Sequence, residues 1–206
     1  MTVTRKMLIL VLSALVGLVG LTSFGQRQIS QVYAVTNFTN VVSVPTIVAL
    51  DSAYSTLTWI RTGSYQHLLS TDPNKMSGLE QRIKLARTVV DQELKKLEQS
   101  SVTEQDRQLL AADRAALAEY DTFREKVLAL SNSGQKDEAR EMLLAGQTAS
   151  AKVDDAFEEH RQHNVESGQR SAGQATKTLD HAVQLFWIIM ALTLMAVAGI
   201  GWYITR

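Results

Sequence analysis

The sequence predicts an all-α protein: an up-down-up-down four-helix bundle flanked by two transmembrane helices. Two long uncharged runs lie near the ends of the chain, and apolar residues recur at heptad-like spacing between them. Proline, glycine and serine or threonine residues divide that spacing into four segments, as expected at helix ends. The elements are taken below in chain order.

The first uncharged run, Met7–Phe24, contains 18 residues. At a rise of about 1.5 Å per residue, a helix of this length spans about 27 Å, close to the thickness of a bilayer core. Arg5 and Lys6 precede the run, so a cleavable secretory signal is the alternative. The run is longer than most signal cores, and no clear cleavage motif follows it. We therefore interpret residues 7–24 as the first transmembrane helix.

The stretch Gln28–Leu69 is rich in Val, Thr and Ser, and propensity alone would favour strands. Pro45 lies inside it and would kink a helix. No glycine occurs between residues 28 and 62, however, and strands rarely reach that length. We therefore expect a helix over about 26–70 that continues from the first transmembrane helix.

Two amphipathic helices follow. Asp72 before Pro73 is typical of a helix start, and it predicts a helix over 73–99. Thr103, with Asp106 three residues later, resembles a capping box and predicts a helix over 103–131. Their apolar stripes comprise Met76, Leu79, Ile83, Ala86, Val90, Leu94 and Leu97 in one helix, and Ala116, Tyr120, Phe123, Val127 and Leu130 in the other.

A fourth helix is predicted over 135–182, after the helix-breaking segment Ser131–Gly134. Short connections between successive helices make neighbouring helices antiparallel, as in a bundle. The fourth helix continues into the second uncharged run, Leu185–Ile204, which we interpret as the second transmembrane helix. Trp187 near one end, with Trp202 and Tyr203 at the other, predicts aromatic anchors at the membrane boundary. The fourth apolar stripe comprises Ala139, Met142, Gly146, Ala149, Val153 and Ala156.

Charge determines the predicted orientation. Arg5 and Lys6 precede the first transmembrane helix, and Arg206 follows the second, so we expect both chain ends in the cytoplasm. Five regions result: a cytoplasmic N-terminus (1–6), a transmembrane helix (7–24), an outer bundle (25–184), a second transmembrane helix (185–204) and a cytoplasmic segment (205–206). In a bacterium the membrane would be the inner membrane and the outer bundle would lie in the periplasm.

Composition excludes several function classes. All 21 acidic residues and all but three of the 21 basic residues lie between the two uncharged runs, so that part has a net charge of −3. Nucleic acid is therefore excluded as a partner, because its binding requires a cationic face. The chain has no cysteine, which excludes disulfides and c-type haem attachment. It also lacks a nucleophile elbow and a glycine-rich phosphate loop, so we expect neither enzyme activity nor a cofactor.

The chain resembles the four-helix-bundle sensor region of bacterial methyl-accepting chemotaxis receptors. The features that carry this resemblance are Asn40–Pro45 followed by Leu50 and Trp59-Ile60-Arg61; Tyr120 with Leu128 and Leu130 before Ser133-Gly134-Gln135 and Glu138-Ala139; and the aromatic pair Trp202-Tyr203. The resemblance covers residues 7–206. It implies a transmembrane chemoreceptor in which ligand binding displaces the last helix and the second transmembrane helix.

The resemblance also implies partners. In the family the first helix pairs across a homodimer, and a relay and a methylated cytoplasmic coiled coil that engages a histidine kinase follow the second span. The sequence stops at Arg206, so we expect either part of a longer receptor or a protein without that output. Input regions of sensor histidine kinases and diguanylate cyclases are similar. A membrane adaptor bundle that binds another protein is a further alternative.

A ligand site is expected about 12–16 Å below the membrane-distal tip, where the four helices contribute one layer. That layer contains Arg61, Arg82, Tyr120, Arg124, Gln147 and Thr148. Because guanidinium groups match carboxylates, we predict a small organic anion such as a dicarboxylate, tricarboxylate or amino acid, bound within one subunit or across the dimer. The alternative is that these arginines pair with acids such as Glu80, Asp121 and Glu125.

His160 and His163 lie near inward positions of the fourth helix, with Glu159 four residues before His163. Two imidazoles and a carboxylate could bind zinc or nickel. The chain contains no Glu-x-x-His motif of the kind that di-iron bundles pair. We therefore interpret both as ordinary bundle histidines and expect no metal.

Overall fold

The computed structural model describes residues 3–100 and 103–205, and all regular structure in these residues is helical. The elements are α1 (Val3–Phe38), a π-helical segment (Thr39–Ser43), α2 (Val44–Leu69), α3 (Pro73–Ser100), α4 (Glu104–Asn132), α5 (Lys136–Ala145) and α6 (Gln147–Thr205). The predicted all-α class is confirmed. The chain divides into two compact units, residues 40–168 and residues 1–39 with 169–206.

The helix predicted over 26–70 is confirmed, although its residues favour strands. Hydroxyl groups of this segment donate to the carbonyl four residues earlier, as in the bonds from Thr56 to Ser52 (2.8 Å) and from Thr62 to Thr58 (3.0 Å). Such bonds satisfy polar side chains within the helix itself. The π-helical segment Thr39–Ser43 was not predicted. It lies directly before Val44 and Pro45, where proline cannot donate the usual backbone hydrogen bond.

The predicted starts of α3 and α4 are confirmed. The Asp72 carboxylate accepts a hydrogen bond from the backbone N–H of Asn74 at 2.9 Å, beside Pro73 at the first helical position. The Thr103 hydroxyl accepts from the backbone N–H of Asp106 at 3.0 Å and donates to its carboxylate at 2.6 Å. Each cap satisfies backbone N–H groups that have no partner inside the helix.

The fourth helix is not continuous as predicted. It consists of α5 and α6, which are separated at Gly146. The Phe123 ring of α4 packs where a side chain on Gly146 would lie: a Cβ built there would overlap the ring, with Cε1 only 2.6 Å away. The predicted breaker before α5 is confirmed, since Gly134 has a φ of +83°, which favours glycine.

Within residues 40–168, the four columns α2, α3, α4 and α5–α6 form the bundle. Its core contains fully buried aliphatic side chains from each column, including Leu57, Ile60, Val90, Leu94, Leu117 and Val153. Burial of one such side chain contributes about 1.5–3 kcal/mol, so this core accounts for the main stabilisation of the bundle.

A partly buried polar cluster joins the helices at the tip. The His67 imidazole of α2 lies 3.0 Å from the Ser131 hydroxyl of α4 through Nδ1 and 3.0 Å from Glu80 Oε1 of α3 through Nε2. The Lys136 ammonium group of α5 donates to the Ser131 hydroxyl at 2.6 Å and to the His67 carbonyl at 3.1 Å. Four helices are thus tied together at their ends by hydrogen bonds.

The unit of residues 1–39 and 169–206 contains apolar, exposed helical surface. The described helical stretches Met7–Leu69 and Gln147–Tyr203 each contain a window that is long and apolar enough to cross a membrane, with none of the window buried. Gly17 of α1 lies close to Thr193 of α6, since a Cβ built on Gly17 would be 3.7 Å from Thr193 Cβ. These two candidate spans fit a membrane protein.

The three predicted aromatic anchors, Trp187, Trp202 and Tyr203, are exposed side chains of α6. Arg206 and the side chain of Lys6, which carry part of the orientation prediction, lie outside the described residues. The orientation and the role of the anchors stay predictions.

Candidate functional site

A cavity of about 310 Å³ opens between α2, α4, α5 and the start of α6. Three charged side chains line it: Arg61 from α2, Arg124 from α4 and Asp154 from α6. Aromatic and aliphatic side chains, chiefly Tyr65, Tyr120, Phe123, Val127 and Leu143, share the rest of its wall with Ser64, Gln147 and Ser150. The cavity therefore combines cationic groups with a wall that is partly apolar and partly polar.

Arg61 is held from three directions. Its Nη2 lies 2.8 Å from Asp154 Oδ1 and donates to the Ser150 carbonyl at 3.1 Å. Its guanidinium carbon lies 5.5 Å from the centroid of the Tyr120 ring, which is a cation–π distance. Burial lowers the pKa of Arg61, but the neighbouring Asp154 carboxylate outweighs that effect and raises it above its usual value.

Arg124 has fewer partners, although its residue is only 7% exposed. Its Nη1 lies 2.7 Å from Asp121 Oδ1, but this contact lacks hydrogen-bond geometry, and both Nε and Nη1 of Arg124 are buried without a hydrogen-bond partner in the described structure. Asp121 also accepts a 2.6 Å hydrogen bond from Arg87 Nε. One carboxylate thus serves two guanidinium groups, and Arg124 retains unused donors.

Tyr120 lies near both arginines. Burial raises the pKa of its hydroxyl group, and the charges of Arg61 and Arg124 oppose that rise. Its ring contacts the Phe123 ring at a centroid distance of 6.4 Å. Tyr120 therefore presents a neutral hydroxyl and an aromatic face near both guanidinium groups.

The structure brings together four of the six residues predicted for the ligand site: Arg61, Tyr120, Arg124 and Gln147 line the cavity. The alternative prediction, that the arginines pair with acids, also holds in part, because Arg61 contacts Asp154 and Arg124 contacts Asp121. Ligand binding by these residues stays a prediction.

Arg82 and Thr148 do not line this cavity. Arg82 is exposed and lines a separate groove with Gln66 and Lys75. Arg82 directly precedes Ile83, a residue of the apolar stripe of α3. One residue corresponds to about 100° of rotation about the helix axis, so the Arg82 side chain is turned away from the core. Thr148 is exposed for the same reason, since its neighbour Ala149 is the buried residue.

Sequence reasoning missed Asp154 and the role of Phe123. Asp154 lies seven residues after Gln147, which is two helical turns, so the two share a face of α6. That spacing could have identified Asp154. No local pattern identifies the contact of Phe123 with Gly146, because it joins two different helices.

Two histidines of α6, His160 and His163, lie close to acidic residues of α4. The His160 Nδ1 atom lies 2.6 Å from Asp113 Oδ2, and both side chains are fully buried. The His163 Nε2 atom lies 3.6 Å from Asp106 Oδ1. Burial raises the pKa of Asp113, although the hydrogen bond to His160 opposes the rise. Among the described residues, no group of three or more His, Asp or Glu side chains could hold a metal ion.

Comparison with known proteins identifies the family. Residues 1–179 match the model of a family described as a four helix bundle sensory module for signal transduction. No curated protein and no solved structure matches the chain significantly. The match covers most of the chain and agrees with its helical bundle and its two apolar helices. The chain therefore belongs to the family of four-helix-bundle sensory modules of methyl-accepting chemotaxis receptors.

Proposed function

We propose that this chain is the sensory part of a transmembrane chemoreceptor that binds a small organic anion, a carboxylate or an amino acid, in the cavity beside Arg61 and Arg124. The observation that carries the proposal is Arg124, whose buried guanidinium retains donors without hydrogen-bond partners at the cavity wall. A buried charge without a full set of partners is costly, and an anion would supply the missing acceptors. The bundle would lie in the periplasm of a bacterium and the two spans in the inner membrane.

The signal would leave the bundle through α6. This helix begins at the cavity with Gln147 and continues without interruption to Thr205, through the second candidate span. Anion binding would favour one axial position of α6, with a displacement of about 1–2 Å. The ligand can shift this equilibrium only by its difference in affinity for the two positions.

A homodimer would form through the first helix column. Val44 and Val48 of α2 are exposed apolar side chains four residues apart, so they form a stripe on one face. A stripe of this kind fits pairing with a second helix.

Signalling partners in the cytoplasm would be reached through an output region, for which a chemoreceptor coiled coil, a histidine kinase and a diguanylate cyclase are the alternatives.

Ligand binding can be tested by the thermal stability of the full chain in detergent, measured with organic acids and amino acids. A ligand at a hundredfold excess over its dissociation constant should stabilise the chain by about 2.7 kcal/mol. The stabilisation should be lost in Arg61→Ala and Arg124→Ala and retained in Arg82→Ala, which alters the separate groove. A lack of response to every compound would instead favour an adaptor that binds another protein.

The displacement can be tested by crosslinking, since the natural chain has no cysteine. Cysteines at Gly17 and Thr193 should form a disulfide, because their Cβ atoms would be 3.7 Å apart, within the range of about 3.5–4.5 Å that disulfides require. Cysteine at Gly20 with Thr193→Cys is the control pair, since nothing lies within 4 Å of a Cβ at Gly20. A crosslinking rate that is unchanged by a bound ligand would contradict the displacement.

A further inference from the structure

We propose that the cavity selects compact monocarboxylates with an apolar body over dicarboxylates and tricarboxylates, and that Asp154 is the residue that excludes the second negative charge. This inference rests on the proposed function, in which the cavity beside Arg61 and Arg124 binds an organic anion. The charge and the lining of that cavity restrict the class of organic anion that would bind there.

The charge of the cavity favours one carboxylate. Its lining contains two guanidinium groups, Arg61 and Arg124, and one carboxylate, Asp154, so the lining has a net charge of +1. Asp121 lies at Arg124 but also binds Arg87, so it only partly neutralises Arg124. One ligand carboxylate would balance the charge of the lining.

A second ligand carboxylate would meet unfavourable surroundings. Arg61, the other cation, is already engaged by Asp154 at 2.8 Å and by the Ser150 carbonyl. A dianion would either displace Asp154 or lie beside it, and like charges at such distances repel strongly when they are partly buried. Asp154 therefore disfavours a second negative charge.

The wall favours an apolar ligand body. Tyr65, Tyr120 and Phe123 present aromatic rings, and Val127 and Leu143 add aliphatic surface. A volume of about 310 Å³ is at the lower end of the range of about 300–1,000 Å³ that is common for ligand sites. A short aromatic or branched aliphatic body fits this part of the wall, whereas the polar groups of a citrate-like ligand would lack partners wherever they face it.

The test is calorimetric titration of the full chain in detergent with benzoate, isovalerate, succinate and citrate, and with benzamide as the uncharged analogue of benzoate. Benzoate or isovalerate should bind at least about tenfold more tightly than succinate, citrate and benzamide, because the guanidinium donors require one charged acceptor. Asp154→Asn should improve succinate binding about tenfold, because it removes the repelling charge and keeps the shape of the side chain.

Variants of Arg124 test whether the ligand binds in this cavity. Arg124→Gln and the more conservative Arg124→Lys should each weaken benzoate binding at least about tenfold, since neither keeps the planar set of donors. Arg82→Gln is the matched control and should leave binding unchanged, because Arg82 lines a different groove.

The outcomes separate the two proposals. Tighter binding of succinate or citrate than of every monocarboxylate, with loss of binding in both Arg124 variants, would overturn the selectivity and leave the anion sensor intact. An Asp154→Asn variant without any gain for succinate would also overturn it. If none of the four anions binds the natural chain or Asp154→Asn, the proposed function fails as well.

Discussion

The contact between Gly146 and Phe123 predicts a specific effect of one methyl group. In Gly146→Ala the new Cβ would overlap the Phe123 ring, whose Cε1 atom would be 2.6 Å away. Carbon atoms prefer separations of about 3.5–4.0 Å, so the ring would have to move by about 1 Å or more. Forced overpacking of this kind costs about 1–3 kcal/mol.

The backbone conformation at Gly146 is compatible with alanine. Its φ of −85° and ψ of 11° are accessible to any residue. Replacement of glycine by alanine at such a position stabilises by about 0.4–1 kcal/mol through the unfolded state. The expected net effect of Gly146→Ala is therefore a destabilisation of up to about 2.5 kcal/mol, caused entirely by the ring.

A double-mutant cycle with Phe123→Ala measures this coupling. In the Phe123→Ala background, Gly146→Ala should be stabilising by about 0.4–1 kcal/mol, which gives a coupling energy of about 1–3 kcal/mol. Gly78→Ala in α3 is the matched control, because nothing lies within 4 Å of a Cβ built there; it should stabilise by up to about 1 kcal/mol in both backgrounds.

The assay is denaturant unfolding of the full chain in detergent, followed by circular dichroism at the helical band. The reasoning is refuted if Gly146→Ala has the same effect with and without the Phe123 ring. Because Phe123 also lines the cavity, the displaced ring in Gly146→Ala should weaken ligand binding, and Gly78→Ala should not.

Three further predictions concern the ends of helices. Thr103→Ala should destabilise the chain by about 0.5–2 kcal/mol, since it removes the acceptor for the Asp106 N–H, and Thr103→Ser should restore most of the loss in denaturant unfolding. Gly134→Ala should cost about 1–2 kcal/mol in the same assay, because φ at this position is +83°; a neutral result would contradict this conformation. Burial lowers the pKa of His67, while the hydrogen bond to Glu80 opposes that change. The unfolded chain therefore takes up a proton near pH 6.5 that the folded chain resists, so His67 contributes stability that is present above this pH and is lost as the pH falls below it. The fall in thermal midpoint from about pH 7.5 to 5.5 should be smaller in His67→Gln, and equal falls would argue against this role.

The sequence predicts those parts of the fold that depend on local chemistry. The caps at Asp72 and Thr103 and the break at Gly134 were found because each involves residues within one helical turn. The apolar stripe places Tyr120 inward, and Arg124 lies four residues later on the same face of the helix.

The remaining features depend on contacts between distant residues. At the break, Gly146 packs against a ring 23 positions earlier in the chain, and the pairing of Arg61 with Asp154 joins α2 to α6. Arg82 was assigned to the ligand layer by its distance from the tip, but its side chain lines a separate groove, because distance from the tip does not specify rotation about the helix axis.

The buried contact between Asp113 and His160 has a consequence for the kind of motion that α6 can make against α4. It is 2.6 Å long and joins two neighbouring helices across the bundle. A slide of about 1.5 Å along the helix, one residue's rise, lengthens such a crosswise contact only to about 3.0 Å, which is still a hydrogen bond. A turn of α6 by about 30° would move a side chain at the helix surface by about 3 Å and separate the pair, which leaves two buried polar groups without partners. The Asp113–His160 contact therefore permits a short axial displacement of α6 against α4 and opposes a rotation of α6 about its own axis.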